Sequence, residues 1–410
     1  MAKINYQSSN NIPAFKNFLG LIVILIIAFI LNAKIENLQR GTALSLSLWL
    51  GIAFGAVLQR SRFCFYCLSR DFIELKNAKG LLGIIVALIV GTLGYHLIFG
   101  AFLIDPIAPR LPPNAHIAPV SWVLILGSFS FGLGMAIAGS CISAQLYRLG
   151  EGLLSAFISF FGILIGFILA FLSWNFLYLK AIQQAPLIWF PHYFGYKGSI
   201  ILQIILLIFL SLLLLKFHKK QKAESTIQRW WQVKWPTYVG GILVALIATI
   251  AFLRVSPLGV TAEIGSIART SANHFNILPA RLEGLDTLRG CLTIIKETFW
   301  SNNGLFIFGL VLGSFALATF SGDFKIQIPK IKESIRSLAG GILMGFGSMI
   351  ALGCTVGTLL SGIMAASLSG WIFLIFCGLG LYLGTVFTDR DKRTKPEAYK
   401  NISRADGCFK

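Results

Sequence analysis

Three cysteines of this chain follow the ends of apolar runs, next to glycine or hydroxyl residues. They are Cys64 after Arg-Ser-Arg-Phe at 60–63, Cys141 in Gly-Ser-Cys at 139–141, and Cys354 in Gly-Cys-Thr at 353–355. A thiol in apolar surroundings keeps its proton because burial disfavours the thiolate, and a neutral thiol is a weak hydrogen-bond donor. The three thiols are therefore candidates for a functional site in which they act as neutral, weak hydrogen-bond donors.

The other cysteines do not indicate a metal site or a disulfide framework. The cysteines stand at positions 64, 67, 141, 291, 354, 377 and 408, and an odd number beside apolar runs is not typical of an extracellular disulfide framework. Cys64 and Cys67 form a C-x-x-C pair, but a metal site needs a second ligand pair and haem attachment needs histidine at position 68, where leucine stands. We expect no metal and no cofactor. A membrane thiol oxidoreductase that passes electrons through Cys64, Cys67 and Cys291 stays open as an alternative.

The small and hydroxyl residues beside the cysteines suit a break between two helices. Gly139 and Gly353 suit the turn, and Ser140 or Thr355 is expected to cap the helix that follows. A new helix start leaves backbone N–H groups and the positive end of the helix dipole facing a cavity, which favours an anion. Backbone of this kind is tolerated at membrane depth only where it lines a polar path or is buried in protein.

Polar and basic residues accompany two of these cysteines. Arg60 and Arg62 end the second apolar run, where arginine ordinarily anchors a helix at the membrane interface. Their functional interpretation is that they lower the barrier for an anion that leaves the pore. Gln145 and Arg148 follow the second cysteine, and we expect Glu151 to pair with Arg148 and make that arginine less available to substrate.

The elements that would position these residues are apolar helices. The chain has 410 residues, of which 56% are hydrophobic and only 12% are charged, so lipid rather than water is its main solvent. Runs long enough to cross a bilayer cover 18–33, 43–58, 80–103, 120–138, 150–179, 198–217, 236–254, 303–320, 337–352 and 362–387. The sequence therefore predicts an all-α polytopic membrane protein of about ten spans, with short broken or re-entrant helices.

The positive charge of the chain indicates the orientation of these spans. With the N-terminus in the cytoplasm, the cytoplasmic segments hold 24 of the 35 Lys and Arg residues and the outer segments hold 9. This bias follows the positive-inside rule. The net charge of +19 therefore reports topology, and we expect no nucleic-acid partner. No Gly-x-x-x-x-Gly-Lys-Ser/Thr run occurs, which argues against ATP as the direct driver of transport by this chain.

Two segments resemble each other at a constant spacing. Gly-Leu-Gly-Met-Ala-Ile-Ala-Gly-Ser-Cys at 132–141 and Gly-Phe-Gly-Ser-Met-Ile-Ala-Leu-Gly-Cys at 345–354 end in cysteines 213 residues apart, and Gly127 and Gly340 keep that spacing. The two copies begin in the fourth and the ninth runs. An odd number of crossings separates them, so they would run in opposite directions, as in transporters with inverted repeats. The polar region 255–302 would reverse this parity if it held another span.

The cysteine motifs also carry a family resemblance. Leu-Gln-Arg-Ser-Arg-Phe-Cys at 58–64, Gly-Ser-Cys and Leu-Tyr-Arg-Leu-Gly-Glu-Gly within 139–152, and Leu-Gly-Cys-Thr-Val-Gly at 352–357 resemble the motifs of the YeeE/YedE sulfur-transport family. The similarity extends from about residue 43 to residue 387. It implies a transporter rather than an enzyme, with inverted repeats, an hourglass shape, and thiosulfate as the substrate. By motif, the cysteines near the centre of the path would be Cys64, Cys141 and Cys354.

The resemblance implies partners as well. In this family the thiols are thought to hydrogen-bond the substrate transiently, and a small soluble sulfur-carrier protein often acts alongside in the cytoplasm. Several weak donors in a row bind a doubly charged anion such as thiosulfate without trapping it, so the resemblance implies a relay of thiols rather than covalent chemistry. The length of the chain is similar to that of longer members, some of which are linked to selenium metabolism. Another sulfur or selenium species therefore stays open as the substrate, and so does the alternative of a membrane scaffold that conducts no anion.

These observations divide the chain into five expected parts. They are an N-terminal cytoplasmic tail with the first span (1–42), a first transport repeat (43–217), a basic cytoplasmic linker (218–235), a second transport repeat (236–387) and a basic cytoplasmic tail (388–410). The protein would lie in the lipid bilayer of the bacterial inner membrane with both termini in the cytoplasm. The expected permeation residues are Cys64, Cys141, Cys354, Arg60, Arg62, Ser140, Thr355, Gly139, Gly353 and Gln145.

Overall fold

The structure is a computed structural model, and it describes most of the chain. The described residues are 14–37, 41–103, 105–107, 111–218, 234–279, 281–285, 288, 293–296 and 301–394. Most of the expected basic linker and of the expected basic tail lies outside them. The same holds for Cys291 and Cys408, so the structure does not test the roles considered for these parts.

The described chain is built from helices. They are α1 (Ala14–Glu36), α2 (Gly41–Ser61), α3 (Phe65–Leu75), α4 (Lys79–Phe102), α5 (Trp122–Ala138), α6 (Ile142–Gly150), α7 (Leu154–Leu177), α8 (Phe190–Lys216), α9 (Thr237–Arg254), α10 (Val260–His274), α11 (Asn302–Ser321), α12 (Ile331–Ile350), α13 (Gly362–Met364) and α14 (Leu368–Thr394). Two π-helical segments complete them: Tyr178–Ile182 extends α7, and Thr355–Ser361 precedes α13. Within the described residues, β-structure is limited to two isolated bridges.

The predicted all-α polytopic membrane architecture is confirmed. Among the described residues, eight helical segments are long and apolar enough to cross a membrane, and the bent pair formed by α12 and Thr355–Met364 brings the number to nine. Each of the ten predicted runs coincides with a helix, the first of them with α1. Large apolar side chains point outward, as Leu97, Phe176 and Phe209 do at 63–75% exposure. Such a surface requires lipid as its solvent.

The helices α5 and α12 cross in opposite directions through matched glycines. A Cβ atom at Gly127 would lie 2.9 Å from the carbonyl oxygen of Gly347, and one at Gly134 would lie 2.7 Å from that of Gly340. Residues near the start of α5 therefore face residues near the end of α12, and residues near the end of α5 face the middle of α12. Because Gly127 and Gly340 share the sequence spacing of the two cysteine motifs, the antiparallel crossing agrees with the predicted inverted repeat.

The other helices of the two repeats also pack in corresponding pairs. The helices α2 and α11 run parallel, with Gly51 against Phe306 and Gly55 against Leu310. The helices α9 and α4 also pack together and run parallel. If each helix of one repeat is exchanged for its counterpart in the other, α5 for α12 and α7 for α14, the packed pair α7 and α12 becomes the packed pair α14 and α5. The order α9, α10, α11, α12, α14 thus repeats the order α2, α3, α4, α5, α7.

The polar region 255–302 contains α10 but no additional full span within its described residues. The 15 residues of α10 would extend about 22 Å, which is shorter than the hydrocarbon core of a bilayer. The parity that the sequence predicts is therefore kept, in agreement with the opposite directions of α5 and α12.

A substitution at the crossing of α5 and α12 should test this packing. We expect Gly134→Val to lower the free energy of unfolding by about 1–3 kcal/mol, because the new side chain meets backbone that cannot yield. The matched control is Gly378→Val in α14, where a Cβ atom would have no neighbour within 4 Å. Thermal unfolding in detergent measures both. Equal unfolding temperatures for the two variants would contradict the close crossing.

Breaks between helices place the three cysteines. The chain turns at Arg62, with φ 50°, at Gly139, with φ 77°, and at Leu352, with φ 54°. At Gly139 the left-handed conformation ends α5 and favours glycine because it lacks a Cβ atom. Each turn is followed by a cysteine that directly precedes a new helix: Cys64 before α3, Cys141 before α6, and Cys354 before the Thr355–Ser361 π-helix.

Candidate functional site

The cysteines that the sequence singles out lie close together in the core. Cys64, Cys141 and Cys354 are free thiols, and all three are buried, with at most 2% of each residue exposed. The sulfur atoms of Cys64 and Cys141 are 3.8 Å apart, and the hydroxyl of Ser143 lies 3.3 Å from the sulfur of Cys141. Because Thr355, the neighbour of Cys354, reaches Cys141, residues from both repeats meet at one place, which we call the central thiol site and define as Cys64, Cys141 and Cys354.

The second repeat contributes hydroxyl groups to this site. The side chain of Thr355 interacts with the thiol of Cys141. The side chain of Thr261, at the start of α10, interacts with Cys354. No pattern in the sequence indicated Thr261, because the turn at 255–259 before α10 has no cysteine and no recognisable motif. Only the packing of α10 against the end of α12 brings this residue to the site.

The predicted helix caps are wrong in detail. The N-cap residues are Cys141 for α6 and Cys354 for the π-helix, and neither side chain makes a capping hydrogen bond. The hydroxyl of Ser140 is buried without a hydrogen-bond partner. The sulfur atoms interact only weakly with the first backbone N–H groups, with that of Ala144 in α6 and with those of Val356 and Gly357 in the π-helix, because cysteine is a poorer acceptor than serine or threonine.

The space beside the central thiol site is narrow. A cavity of about 20 Å³ borders Cys141, Ser143 and Thr355, and the rest of its lining is apolar. This volume admits about one water molecule. Gly353 lies in the turn before Cys354, where an added Cβ atom would clash with the hydroxyl of Thr358.

Gln145 is buried in the second turn of α6. Its backbone N–H donates to the carbonyl of Cys141 at 2.9 Å. We find no hydrogen bond of its side chain to the central thiol site among the described contacts. Its predicted role in permeation stays a prediction.

The predicted arginines lie in a separate cluster of charges. Arg62 pairs with Glu151 at 3.3 Å, Arg60 lies 3.8 Å from a carboxylate oxygen of Asp323, and Lys234 pairs with Asp323 at 2.5 Å. The cluster joins the ends of α2, α6 and α11 to the start of α9. We call it the charge cluster, and the end of the bundle that carries it the basic end.

One side chain in the charge cluster links its two carboxylates. The amide of Gln59 donates to Glu151 and to Asp323, at 3.2 Å in each case. Gln59, Lys234 and Asp323 were not among the predicted site residues, although Gln59 stands directly before Arg60 in the sequence. The sequence offers no signal for the other two, since each stands in a different loop.

The expected pairing of Glu151 with Arg148 is wrong. Glu151 binds Arg62 and Gln59. Arg148 instead donates to the carbonyl of Gly139 at 3.1 Å and to the sulfur of Cys67 at 3.5 Å. The helix α6 is short, so Glu151 at its end reaches the end of α2, while Arg148 turns back toward the break that starts α6.

Burial and the neighbouring positive charges shift the pKa of Asp323 in opposite directions. Burial alone would raise its pKa, but the hydrogen bond and charge of Lys234, the hydroxyl of Ser321 and the charge of Arg62 hold the pKa of Asp323 below its ordinary value. Burial and the charge of Arg62 lower the pKa of Lys234, and Asp323 opposes this shift. The Asp323 carboxylate is therefore charged at neutral pH and serves as the counterion of its basic neighbours.

The charge cluster should weaken in acid. The lowered pKa of folded Asp323 contributes stability at pH values above the unfolded pKa of about 3.9, and this contribution is lost as the pH falls through the folded value. The unfolding temperature in detergent should therefore drop at the acid end of a pH series. Asp323→Asn should flatten this part of the profile, and an unchanged profile would contradict the role of Asp323.

The C-x-x-C pair does not form a disulfide, because Cys64 is a free thiol. The sulfur of Cys64 lies 3.8 Å from that of Cys141, whereas Cys67 is disulfide-bonded. Among the residues that the structure describes, no three His, Cys, Asp or Glu side chains group in a way that would hold a metal ion.

Comparison with known proteins identifies the family. A family model described as sulphur transport matches residues 60–383, which include all three cysteines of the central thiol site. The chain belongs to the sulphur transport family. The matched range begins at Arg60 and ends within α14, so it spans both repeats.

Relatives within this sulphur transport family are named transporters. The thiosulfate transporter TsuA of Escherichia coli is 26% identical over 357 residues, which cover 81% of this chain and 91% of that protein. TsuA of Spirochaeta thermophila is 28% identical over 352 residues, covering 81% and 95%. A probable transporter YedE of Salmonella typhimurium is 33% identical over 87 residues, covering 21% and 22%. The alignments and the apolar helices together establish a multi-pass membrane protein of a sulphur transport family.

Proposed function

We propose that this protein transports thiosulfate across the membrane through the central thiol site. The observation that carries the proposal is the meeting of Cys64, Cys141 and Cys354, all free and buried, at the starts of separate helices. The names of the TsuA relatives support thiosulfate as the substrate. Another sulfur or selenium anion is the alternative within the same class.

The chemistry of the site suits an anion that must also leave. The helix starts at Cys64, Cys141 and Cys354 present backbone N–H groups and positive dipole ends, which attract negative charge without a fixed full charge. Neutral thiols add weak donors, and they are compatible with the soft terminal sulfur of thiosulfate. A buried arginine at this position would bind a divalent anion tightly and slow its release.

We infer that the structure corresponds to a closed conformation. A cavity of about 20 Å³ admits about one water molecule, and thiosulfate is larger. Passage therefore requires a movement of the short helices around the central thiol site. The charge cluster binds the end of α2 to the end of α6, so it restrains the elements that carry Cys64 and Cys141. In this proposal Arg60 and Arg62 act at the basic end rather than at the thiols.

The orientation follows from the charges. We propose that the basic end faces the cytoplasm of a bacterium and that the protein lies in its inner membrane, in accordance with the positive-inside rule. A substrate would then be delivered on the side where a soluble sulfur-carrier protein could receive its sulfur. This partner rests on the family resemblance and would be a separate chain.

Flux into liposomes tests the proposal. Purified protein should accelerate the entry of labelled thiosulfate, and an excess of unlabelled thiosulfate should compete. The flux is measured with and without imposed ion gradients, so that passive entry and ion-coupled entry are distinguished. Absence of flux under all these conditions would contradict transport and would favour the scaffold alternative.

The short distance between Cys64 and Cys141 also suits a redox alternative. Two thiols whose sulfur atoms are 3.8 Å apart can approach to form a disulfide when an oxidant is present. A thiol oxidoreductase would cycle between the Cys64–Cys141 disulfide and the two thiols during turnover. Alkylation followed by mass spectrometry distinguishes the two functions, since a transporter should keep both cysteines alkylatable throughout.

A further inference from the structure

Thr261 occupies a position in the second repeat that resembles that of Cys64 in the first. It is the second residue of α10, which follows α9 after the turn at 255–259. Cys64 directly precedes α3, which follows α2 after a similar break. The helix α9 packs on α4 as α2 packs on α11, so the exchange of repeats relates these two breaks.

The neighbours of the two residues correspond as well. Cys64 contacts Cys141, which starts α6 in the first repeat. Thr261 interacts with Cys354, which starts the corresponding π-helix in the second repeat. The centre of the molecule is therefore lined by four comparable positions, of which three hold a thiol and one holds a hydroxyl.

The hydroxyl of Thr261 lacks the bond that such groups ordinarily make. Thr261 is 1% exposed, and its oxygen makes no hydrogen bond of ordinary length, because its described polar contact is with the weakly bonding thiol of Cys354. Other helical hydroxyls in the chain bond back to the preceding turn, as Ser266 does to the carbonyl of Ala262 at 2.7 Å. A residue in the first helical turn has no such helical turn before it. An unsatisfied buried polar group is costly and requires an explanation.

We propose that the hydroxyl of Thr261 donates a hydrogen bond to an oxygen of the transported oxyanion and so makes Thr261 a specificity-determining residue. The proposal rests on the function proposed above. A hydroxyl is a stronger donor to a charged oxygen than a thiol is. Thiosulfate has charged oxygens at one end and a soft sulfur at the other. Thr261 and the thiols therefore recognise different ends of one substrate.

The test compares Thr261→Val with Thr261→Ser in liposomes. Thr261→Val keeps the shape of the side chain and removes the donor, so the half-saturating thiosulfate concentration should rise by about tenfold or more. Thr261→Ser keeps the donor and should stay close to the unaltered protein. The matched control is Thr92→Val in α4, because Thr92 is equally buried, its hydroxyl lacks a hydrogen-bond partner, and none of the described contacts joins it to the three cysteines.

Competition by smaller anions separates a role in recognition from a role in folding. Sulfite has charged oxygens and no terminal sulfur, whereas hydrosulfide has a sulfur and no oxygen. In Thr261→Val, inhibition of thiosulfate uptake by sulfite should weaken and inhibition by hydrosulfide should not. In a variant that is merely less stable, inhibition by sulfite and inhibition by hydrosulfide would weaken in proportion.

The outcomes distinguish this proposal from the proposed function. If Thr261→Val retains the half-saturation and the competition pattern of the unaltered protein while Cys141→Ala loses uptake, the role of Thr261 is wrong and thiosulfate transport stands. If the unaltered protein moves no thiosulfate, both are wrong. If Thr261→Val and Thr92→Val weaken uptake equally, the effect is one of packing, and the role of Thr261 is wrong.

Discussion

Replacement of Cys141 by alanine should reduce thiosulfate uptake at least about tenfold and leave the amount of protein in the membrane unchanged. Cys141 contacts Cys64, Ser143 and Thr355, so it is the thiol that both repeats share. Its loss removes the central donor of the relay, and the loss of one hydrogen bond to a charged group corresponds to about tenfold or more. Uptake of labelled thiosulfate by liposomes measures the effect.

A second buried cysteine provides the control for this substitution. Cys377 in α14 is a free thiol with 0% exposure, and α14 is not one of the helices that begin at the central thiol site. Cys377→Ala creates a similar loss of volume and should retain uptake. Cys354→Ala should behave like Cys141→Ala. If both Cys141→Ala and Cys354→Ala transport normally, the thiol relay is wrong.

The variant Cys141→Ser tests what the thiol contributes beyond a small hydrogen-bond donor. Cys141→Ser keeps a small donor but replaces a soft atom with a hard oxygen, and its hydroxyl can cap α6 as serine commonly does. We expect uptake to fall here too, because the serine side chain would satisfy the first N–H groups of α6 that the substrate needs. Uptake equal to that of the unaltered protein would show that any small donor suffices.

Removal of Glu151 should destabilise the folded protein by about 1–3 kcal/mol, because its pair with Arg62 is only partly screened by water. Glu151 is only 3% exposed, and it pairs with Arg62 and accepts from Gln59. Glu151→Ala leaves the partly exposed Arg62 without this carboxylate and removes an acceptor of the buried Gln59 amide, and both losses are costly. Thermal unfolding in detergent, together with chemical denaturation, measures the loss.

Two further variants test whether the lost charge causes the loss of stability in Glu151→Ala. Glu36→Ala removes an exposed carboxylate from the end of α1 and should change stability little. The double variant Glu151→Ala with Arg62→Met removes both charges and should recover part of the stability that Glu151→Ala loses. If the effects of the two substitutions are simply additive, the pair of Glu151 and Arg62 does not stabilise the basic end.

The spans could be predicted from the sequence because each is a continuous apolar run. A lipid-exposed helix must satisfy its own backbone and present apolar side chains along most of its length, so the signal is local. The repeat was visible for a related reason. The glycines at 127 and 340 allow the backbones of α5 and α12 to meet, and close helix crossings in membranes require small residues at fixed spacings.

The partners of the charged side chains could not be predicted in the same way. Glu151 stands three residues from Arg148, which favours a local pair, yet it binds Arg62. The choice depends on where the short helix α6 ends relative to α2, and no local pattern encodes that distance. Asp323 and Lys234 belong to loops that are far apart in the sequence and meet only through the packing of α2 with α9 and α11.

Apolar length and small-residue spacing are local properties of the chain, so the amino-acid sequence was enough to predict the membrane architecture and the opposite directions of the two repeats, and its motifs were enough to select the three thiols. The groups that surround those thiols are known only from the folded molecule. The tertiary structure placed a hydroxyl from Thr261 beside Cys354 and left little space beside Cys141. The physical reason is that four helix breaks, distant in sequence, converge only when α5 and α12 cross and the remaining helices pack around them.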